Sequence, residues 1–402
     1  MRDVVYLGFA LPEDEFRQLV ATDAGLPTAT QRFAWSVIES LTSAALRVTV
    51  VSAAPATDFP HNRRVLFSAG KFEGHDKVTG FLLPFVNITG LKHISRYVAA
   101  SWTLTRRTRR GRTSAILVHG VHSPFIWAAA RAGRRLGVPV VILLTDPPSL
   151  RTPFDHGVGL AMKRLDRRLI QSGLQRVTGV ISLTRALAED FAPGKPSLLM
   201  EGIARSMEGP DPQADPIAPS ATHGVAVYAG GLQEEYGVRA LMDAVSLSQR
   251  EWELHLYGRG PMEEECRMVA SSNPRVVFHG VADAATLGRA YSRATVLVNP
   301  RQLGADFVKY SFPSKLLEYM TTGTPVVTSH LPTIPPDYDP FLIYTGDDAV
   351  SLAMSLDHTI ALDDSELQEF GRAAQVFVRE TRSSSPQGMR IRAFLDTLSQ
   401  LM

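Results

Sequence analysis

Along most of the chain, short runs of β-branched and other apolar residues alternate with longer stretches in which apolar positions recur every three or four residues. The runs Val4–Leu7, Val48–Ser52, Ala115–Val118, Val138–Leu144 and Gly179–Leu183 are apolar nearly throughout, the pattern of strands buried on both faces. Val225–Tyr228, Glu253–Tyr257, Val276–Phe278, Val296–Asn299 and Pro325–Thr328 continue it. Between them, Arg32–Ala45, Pro124–Leu136, Gly237–Ser248 and Ala284–Arg293 carry helical periodicity. Such alternation predicts parallel sheets with helices on both faces, and it occurs twice. Arg205–His223 holds Pro210, Pro212, Pro216 and Pro219 with almost no apolar content, which marks a linker. The expected fold is α/β: a Rossmann-like domain 1–203, a linker 204–223, a second Rossmann-like domain 224–384, and a helix 385–402 docking back. Met389, Ile391, Phe394, Leu395, Leu398 and Leu401 stand at near-helical spacing in that last segment. Two doubly wound parallel sheets are expected to face a cleft, and open sheets of this kind bind ligands beyond their strand C-termini.

Composition narrows the class. In 402 residues, 45% are hydrophobic and 20% charged, which excludes a disordered or fibrous chain. The single cysteine, Cys266, excludes a disulfide framework and a Cys-based zinc site, and suits a reducing cytoplasm. Glu263, Glu264 and Glu265 precede it, so its thiol is expected to be inert. No apolar run approaches the ~18–20 residues that span a bilayer. The opening residues are expected to form a first buried strand rather than a signal peptide.

Charge adds a further point. The net charge is +2. Residues 1–200 carry 26 Lys and Arg against 14 Asp and Glu, a balance of +12, and the remainder carries 16 against 26, a balance of −10. Domain complementarity explains this, and so does a first half that approaches something anionic. Leu91, Ile94, Val98 and Trp102 recur at helical spacing before the run Arg106, Arg107, Arg109, Arg110 and Arg112. A second cluster, Lys163, Arg164, Arg167 and Arg168, is interleaved with Leu160, Leu165 and Leu169. Core helices with solvated Arg faces are the plain explanation. Taken together, the two clusters favour an anionic membrane surface. No zinc knuckle, RNP-like aromatic pattern or helix-turn-helix signal accompanies them, so nucleic acid is not expected.

The richest stretch for chemistry runs from Asn299-Pro300-Arg301 through Tyr310-Ser311-Phe312-Pro313-Ser314-Lys315-Leu316-Leu317-Glu318-Tyr319-Met320 to Gly323-Thr324-Pro325-Val326-Val327. Pro and Ser at its middle suit a helix N-terminus, where N–H groups and the helix dipole favour phosphate. Lys315 in the first turn opposes that dipole unless an anion binds there. Glu318, one turn on, could reach the hydroxyls of an attached ribose. An ordinary solvated Lys/Glu pair is the plain alternative.

These residues resemble the signature of GT-B glycosyltransferases of family 4. Three further motifs stand in the family's order: Tyr228-Ala229-Gly230-Gly231-Leu232 with Tyr236-Gly237-Val238, then Leu256-Tyr257-Gly258-Arg259-Gly260-Pro261, then Val277-Phe278-His279-Gly280-Val281. Four in order across about 100 residues is a specific signal. In the first half the strand order fits, as does Gly25–Leu41 as an acceptor-side loop and helix. The resemblance implies transfer of a sugar from a nucleotide-sugar donor, without metal or separate cofactor, UDP-sugar favoured over GDP-sugar, with retained anomeric configuration. It places the base near Gly280 and Val281, the ribose on Glu318, and the pyrophosphate near Gly230, Gly231, Arg301, Ser314 and Lys315. The Ser-Lys-Leu-Leu-Glu type of helix resembles a branch concerned with bacterial surface polysaccharides. Where the family usually has Arg and Lys on the pyrophosphate, this chain has Gly231 and Tyr236. Where it often has the first of two glutamates, this chain has Tyr310. Arg301 and Lys315 are therefore expected to supply the displaced cations, with Lys309 as a substitute.

On the acceptor side, Val118-His119-Gly120-Val121-His122 and Leu144-Thr145-Asp146-Pro147-Pro148 each follow a strand. The family often has a histidine before an aspartate; here Thr145 precedes Asp146. Asp146 is the candidate to orient the acceptor or take its hydroxyl proton, with His119 and His122 as competitors. A loop cap for Asp146 and a structural role for His119 are the plain readings. The expected enzyme is cytoplasmic, peripheral at the inner face of the cell membrane, and acts on a lipid-linked or glycan acceptor. A nucleotide-sugar epimerase or hydrolase of the same fold and a non-catalytic scaffold of an assembly complex are the alternatives.

Overall fold

The computed structural model describes residues 2–23, 26, 28–74, 78–148, 157–205, 224–304 and 307–402. Most of the expected linker, 206–223, and Gly25 lie outside them. The chain forms two compact units, one of residues 1–203 with 384–402 and the other of residues 204–383.

The first unit contains β1 (Asp3–Gly8), α1 (Glu13–Thr22), α2 (Thr28–Ser43), β2 (Arg47–Ser52), β3 (Leu66–Phe67), β4 (Gly70–Glu73), β5 (Thr79–Leu82), β6 (Phe85–Val86) and α3 (Leu91–Arg107). It continues with β7 (Thr113–His119), α4 (Ser123–Leu136), β8 (Val140–Leu144), α5 (Gly157–Leu174), β9 (Gly179–Ser182), α6 (Arg185–Phe191) and β10 (Ser197–Leu199). Its eight-stranded sheet has the order β10-β9-β8-β7-β1-β2-β5-β4. Every pairing is parallel except β4 on β5. Every residue of β8 is buried, as an apolar run covered on both faces should be. Local chemistry sets the helix ends: α4 has Pro124 in its first turn and ends at Gly137 with φ of 67°, a left-handed stop that glycine adopts without steric cost.

The second unit contains β11 (Gly224–Gly231), α7 (Val238–Leu247), β12 (Trp252–Arg259), α8 (Glu263–Ser272), β13 (Val276–Gly280), α9 (Ala284–Arg293) and β14 (Val296–Asn299). It closes with α10 (Ser314–Met320), β15 (Val326–Ser329), β16 (Ile343–Thr345), α11 (Ala349–Ile360) and α12 (Asp364–Thr381). Its six strands run in the order β13-β12-β11-β14-β15-β16, all parallel. Asp363 caps α12 in a reciprocal capping box with Glu366, so this acidic pair is a helix end. Cys266 is fully buried on α8 and its thiol is pushed up to about 11, chiefly by burial.

After the second unit is complete, α13 (Ser384–Gln400) joins the first. Ile391, Leu395 and Leu398 enter the core with Ile38, Leu41 and Val141. The fit is close: a Cβ on Gly388 would lie 1.9 Å from the Ser40 carbonyl oxygen, and one on Gly179 would meet Leu398 at 2.8 Å. Arg390 and Gln387 donate to the Leu199 and Gly202 carbonyls at 2.7 and 2.8 Å.

Each sheet has one place where strand order reverses. In the first unit β1 lies between β2 and β7, and in the second β11 lies between β12 and β14. Crevices beyond the carboxyl ends of such strand pairs are where open α/β sheets hold ligands.

Candidate active site

In the second unit the reversal brings the Gly230-Gly231 end of β11 beside the Pro300-Arg301 exit of β14. Gly237 makes this possible. With φ of 75°, a Cβ there would lie 1.5 Å from the Pro300 carbonyl oxygen, so only glycine lets the turn after Tyr236 close on that exit. Gly231 likewise leaves room for the Tyr236 ring, which a Cβ would meet at 2.8 Å. The Arg301 guanidinium lies 4.9 Å from the Tyr236 ring and 5.8 Å from the Phe307 ring. It donates to the Ser311 hydroxyl at 3.1 Å. Gly231 and Tyr236, two of the three departures from the family pattern, thus form one arrangement that holds a different cation. Burial lowers the pKa of Arg301 against the opposing effect of Tyr236 and Tyr228, and a guanidinium keeps its charge through such a shift. Among the described residues no carboxylate pairs with it.

Helix α10 buries Leu316, Leu317, Tyr319 and Met320. Tyr319 ties it to the reversal strand: its hydroxyl accepts from the Ala229 N–H at 2.8 Å and donates to the Ala229 carbonyl at 3.1 Å. The β11–β14 pairing covers Ala226 and Val227, and Tyr319 takes up the backbone groups beyond it. Nothing in the sequence signalled this bridge. Ser314 is exposed in the first turn, and Lys315 and Glu318 are part-exposed. Lys315 donates to Glu318 at 2.7 Å and to the Tyr291 hydroxyl at 3.3 Å, and that hydroxyl donates to Glu318 at 3.2 Å. Burial, then Tyr319 and Glu318, push the Tyr291 phenol far up, so it stays a donor. The charge of Lys315, for which the sequence allowed either a bound anion or an ordinary Lys/Glu pair, is met in this structure by Glu318 three residues on. Tyr310 is part-buried, with the Lys309 ammonium 4.6 Å from its ring centre. Gly280 ends β13 with φ of 69°, and Val281 beyond it is exposed.

In the first unit the reversal lies between the ends of β1 and β7. His119 is 3% exposed, hydrogen-bonded through Nδ1 to the Tyr6 hydroxyl, with its ring 5.7 Å from that of Phe33. Burial pulls its pKa down to about 4. That is a packed, neutral histidine whose buried Nε2 has no hydrogen-bond partner among the described residues. His122 packs against Phe9, Phe125 and His93 at 5.2, 4.6 and 5.3 Å. Its pKa is well below the usual range, first through burial and then through Arg96, His93 and Lys92. Asp146, just past β8, is the exposed member of the three and accepts from the Thr145 hydroxyl at 2.8 Å.

Two residues that the sequence did not single out lie near these strand ends. Lys92 reaches the Asp58 carboxylate and the Ala56 carbonyl, both at 2.6 Å. Arg96, 4% exposed, donates to the Ala54 carbonyl at 2.5 Å and lies 4.3 and 5.2 Å from the Phe85 and Phe9 rings. Burial lowers Arg96 to about 9. Their one signal is the i, i+4 spacing on a helix. A cavity of about 1080 Å³ also opens in this unit, its lining including Glu15, Gln18, His61, Asn62, Arg63 and Phe67.

Residues 28–194 match the family model described as "Glycosyl transferase 4-like domain", and residues 223–361 the one described as "Glycosyl transferases group 1". No curated protein sequence matches the chain. Among solved structures, the sucrose-phosphate synthase of Thermosynechococcus elongatus is similar at 14% identity and a TM-score of 0.61, over 100% of this chain and 98% of that one. The lipopolysaccharide outer core galactosyltransferase WaaB gives 14% and 0.62, over 98% and 99%. Anabaena HepE in complex with UDP gives 14% and 0.58, over the whole of both chains. These likenesses establish the GT-B fold.

Proposed function

This chain belongs to the group 1 glycosyl transferases, and from that membership we propose that it moves a hexose-type sugar from a nucleoside diphosphate donor to a lipid-linked or glycan acceptor. The observation that carries the donor reading is Arg301, a cation held on aromatic rings at the β11–β14 reversal with no described carboxylate to answer it. In glycosyl transfer the acceptor oxygen bonds to the anomeric carbon as the bond from that carbon to phosphate breaks. The bonding pair passes to the departing diphosphate. A cation already in place favours the transition state over the ground state, because charge on the leaving group grows between them.

Arg301 takes the pyrophosphate in this reading, and Gly230 and Gly231 let the backbone approach it. Glu318 takes the ribose, and Gly280 and Val281 flank the base. Lys315 contributes to the degree that it leaves Glu318, so its share is the smaller one. Asp146, exposed beyond β8, orients the acceptor hydroxyl or accepts its proton. UDP is favoured as the nucleotide, a choice that HepE in its complex with UDP supports. Following the family's usual course, transfer retains configuration and needs no divalent metal. We place the enzyme in bacterial polysaccharide or glycoconjugate synthesis, peripheral to the inner face of the cell membrane. No described helix is long and apolar enough to cross a membrane.

A thermal-shift panel of UDP, GDP, uridine and the corresponding nucleotide-sugars tests the reading, because a ligand selective for the native state raises its melting temperature. UDP should raise it well above what uridine achieves. A second reading, a non-catalytic scaffold, draws on Gly231, Tyr236 and Tyr310 in place of the usual polar groups. A folded chain that responds to neither UDP nor GDP would establish it instead. Conversion of a labelled nucleotide-sugar to its epimer with no acceptor present would replace transfer by epimerisation.

A further inference from the structure

We propose that the outer faces of α3 and α5 form a docking surface for an anionic lipid bilayer. A surface helix ordinarily buries its apolar row and turns its charges to water. Helix α3 does the reverse. Leu91, Ile94, Val98 and Trp102, at i, i+3, i+7 and i+11, are between 50% and 62% exposed. Lys92 and Arg96 are buried on the opposite face with Ala99, Ala100 and Leu104. The outward row is a continuous apolar stripe about 17 Å long at 1.5 Å per residue.

Helix α5 carries exposed apolar residues of its own. Leu165 and Leu169, one turn apart, are exposed. Asp166 between them comes within 3.9 Å of the His93 imidazole of α3, and the Met162 methyl within 3.5 Å of where a Gly90 Cβ would stand. The two helices therefore touch where α3 begins.

The surrounding charge identifies the occupant. Arg106, Arg107, Arg109, Arg110 and Arg112 are exposed at and beyond the end of α3, and Lys163, Arg164, Arg167 and Arg168 are exposed on α5. Residues 91–113 contain no Asp or Glu, and α5 contains one, Asp166, which accepts from the Ser123 hydroxyl. The same face of a second copy would bring cations against cations. A bilayer rich in anionic headgroups meets the cations with phosphates and accepts the apolar row among its acyl chains. The Arg106 guanidinium lies 4.0 Å from the Trp102 ring centre, which lets the indole sink to the interface while the cation stays at headgroup depth. Docking rests on the membrane-side reading above for its purpose but not for its measurement, since vesicle binding needs neither donor nor acceptor.

The test is co-sedimentation of the full chain with vesicles of phosphatidylcholine, alone or mixed with phosphatidylglycerol. The mixed vesicles should carry the protein down and the phosphatidylcholine vesicles should not, with binding that falls as salt rises. The triple variant Ile94→Ser, Val98→Ser and Trp102→Ser should lose roughly tenfold or more of that affinity. All three positions are exposed, so its melting temperature and UDP response should match the parent's. Replacing Arg106, Arg107, Arg109, Arg110 and Arg112 by Gln should weaken binding and flatten its salt dependence. A folded parent chain that leaves mixed vesicles behind, or a triple variant that binds as well as the parent, overturns the docking surface. A dimer that the triple variant abolishes, with no vesicle binding by the parent, assigns the face to a second copy and likewise overturns it. Vesicle binding by a chain that ignores UDP would leave docking standing while the donor site fell.

Discussion

The two strand-order reversals are built alike and filled differently, and the difference shows what burial does to a charge. At the β1–β7 reversal, near the buried Lys92 and Arg96, the groups taken from water include the imidazoles of His119 and His122. Their ordinary pKa lies close enough to neutrality that desolvation removes the charge, as the fall of His119 to about 4 shows. At the β11–β14 reversal the part-buried group is a guanidinium, whose ordinary pKa is so high that the same physics lowers it without discharging it. One reversal therefore sets neutral imidazoles near cations that are already answered, Lys92 by Asp58 and Arg96 by the Ala54 carbonyl, and the other holds a cation with no described carboxylate. A cation left unanswered in a partly dry site is a place for a departing diphosphate.

The largest effect that separates the two is on stability. His119→Ala removes a buried ring and leaves the Tyr6 hydroxyl without its partner, which should cost roughly 2–4 kcal/mol. Denaturant unfolding should show the loss while the folded fraction binds UDP as before. A stable variant with selectively lost transfer would return His119 to the catalytic candidates and break the comparison.

The pH dependence follows from the same residue and has a definite sign. His119 has a folded pKa of about 4 against an ordinary value of 6.5, so the unfolded chain binds its proton first. Its contribution is fully present above pH 6.5 and is lost as pH falls from there toward 4, by about 3 kcal/mol at most. His119→Gln keeps a polar partner for Tyr6 without titrating, and should flatten the stability profile in that window. An unchanged profile would place the imidazole in a more open setting.

Smaller effects probe the second crevice. Tyr319→Phe strips the bridge to Ala229 and should cost roughly 1–3 kcal/mol for a buried N–H left unpaired. Nucleotide affinity should fall with it, because α10 is no longer tied to β11. Lys315→Ala should be smallest, under about 1 kcal/mol in diphosphate binding, because that ammonium is already paired in a part-exposed setting. A loss as large as that from removing Arg301 would shift the donor site onto α10.

Much of the frame was legible because its central strands are apolar on both faces. β8, buried at every residue, appears in the sequence as Val138–Leu144, and β14 has the bounds expected of it. What escaped were pieces too short or too mixed for periodicity. β3 and β6 have two residues each, β10 and β16 have three, and β4 alternates Lys71 and Glu73 with buried Phe72. The position of Arg301 after Asn299-Pro300 was legible. Its seat on Tyr236 was not, because that contact joins residues on different loops. The Lys315–Glu318 spacing stood in plain view, and either a bound anion or the mutual pair fitted it; the contact itself, at 2.7 Å, is visible only in three dimensions. The apolar row of α3 was also legible; periodicity alone finds a face without saying which way it points, and it was the neighbouring Arg runs that favoured an outward aim.

The central claim concerns Arg301, and calorimetric titration of UDP and uridine into the parent chain and into Arg301→Met measures it most directly. A charge-assisted contact to phosphate contributes about 1.5–3 kcal/mol. UDP affinity should therefore fall on the order of 10- to 100-fold while uridine affinity and the melting temperature stay where they were. Equal affinity of the folded variant for UDP, or an equal loss for both ligands, would contradict the account.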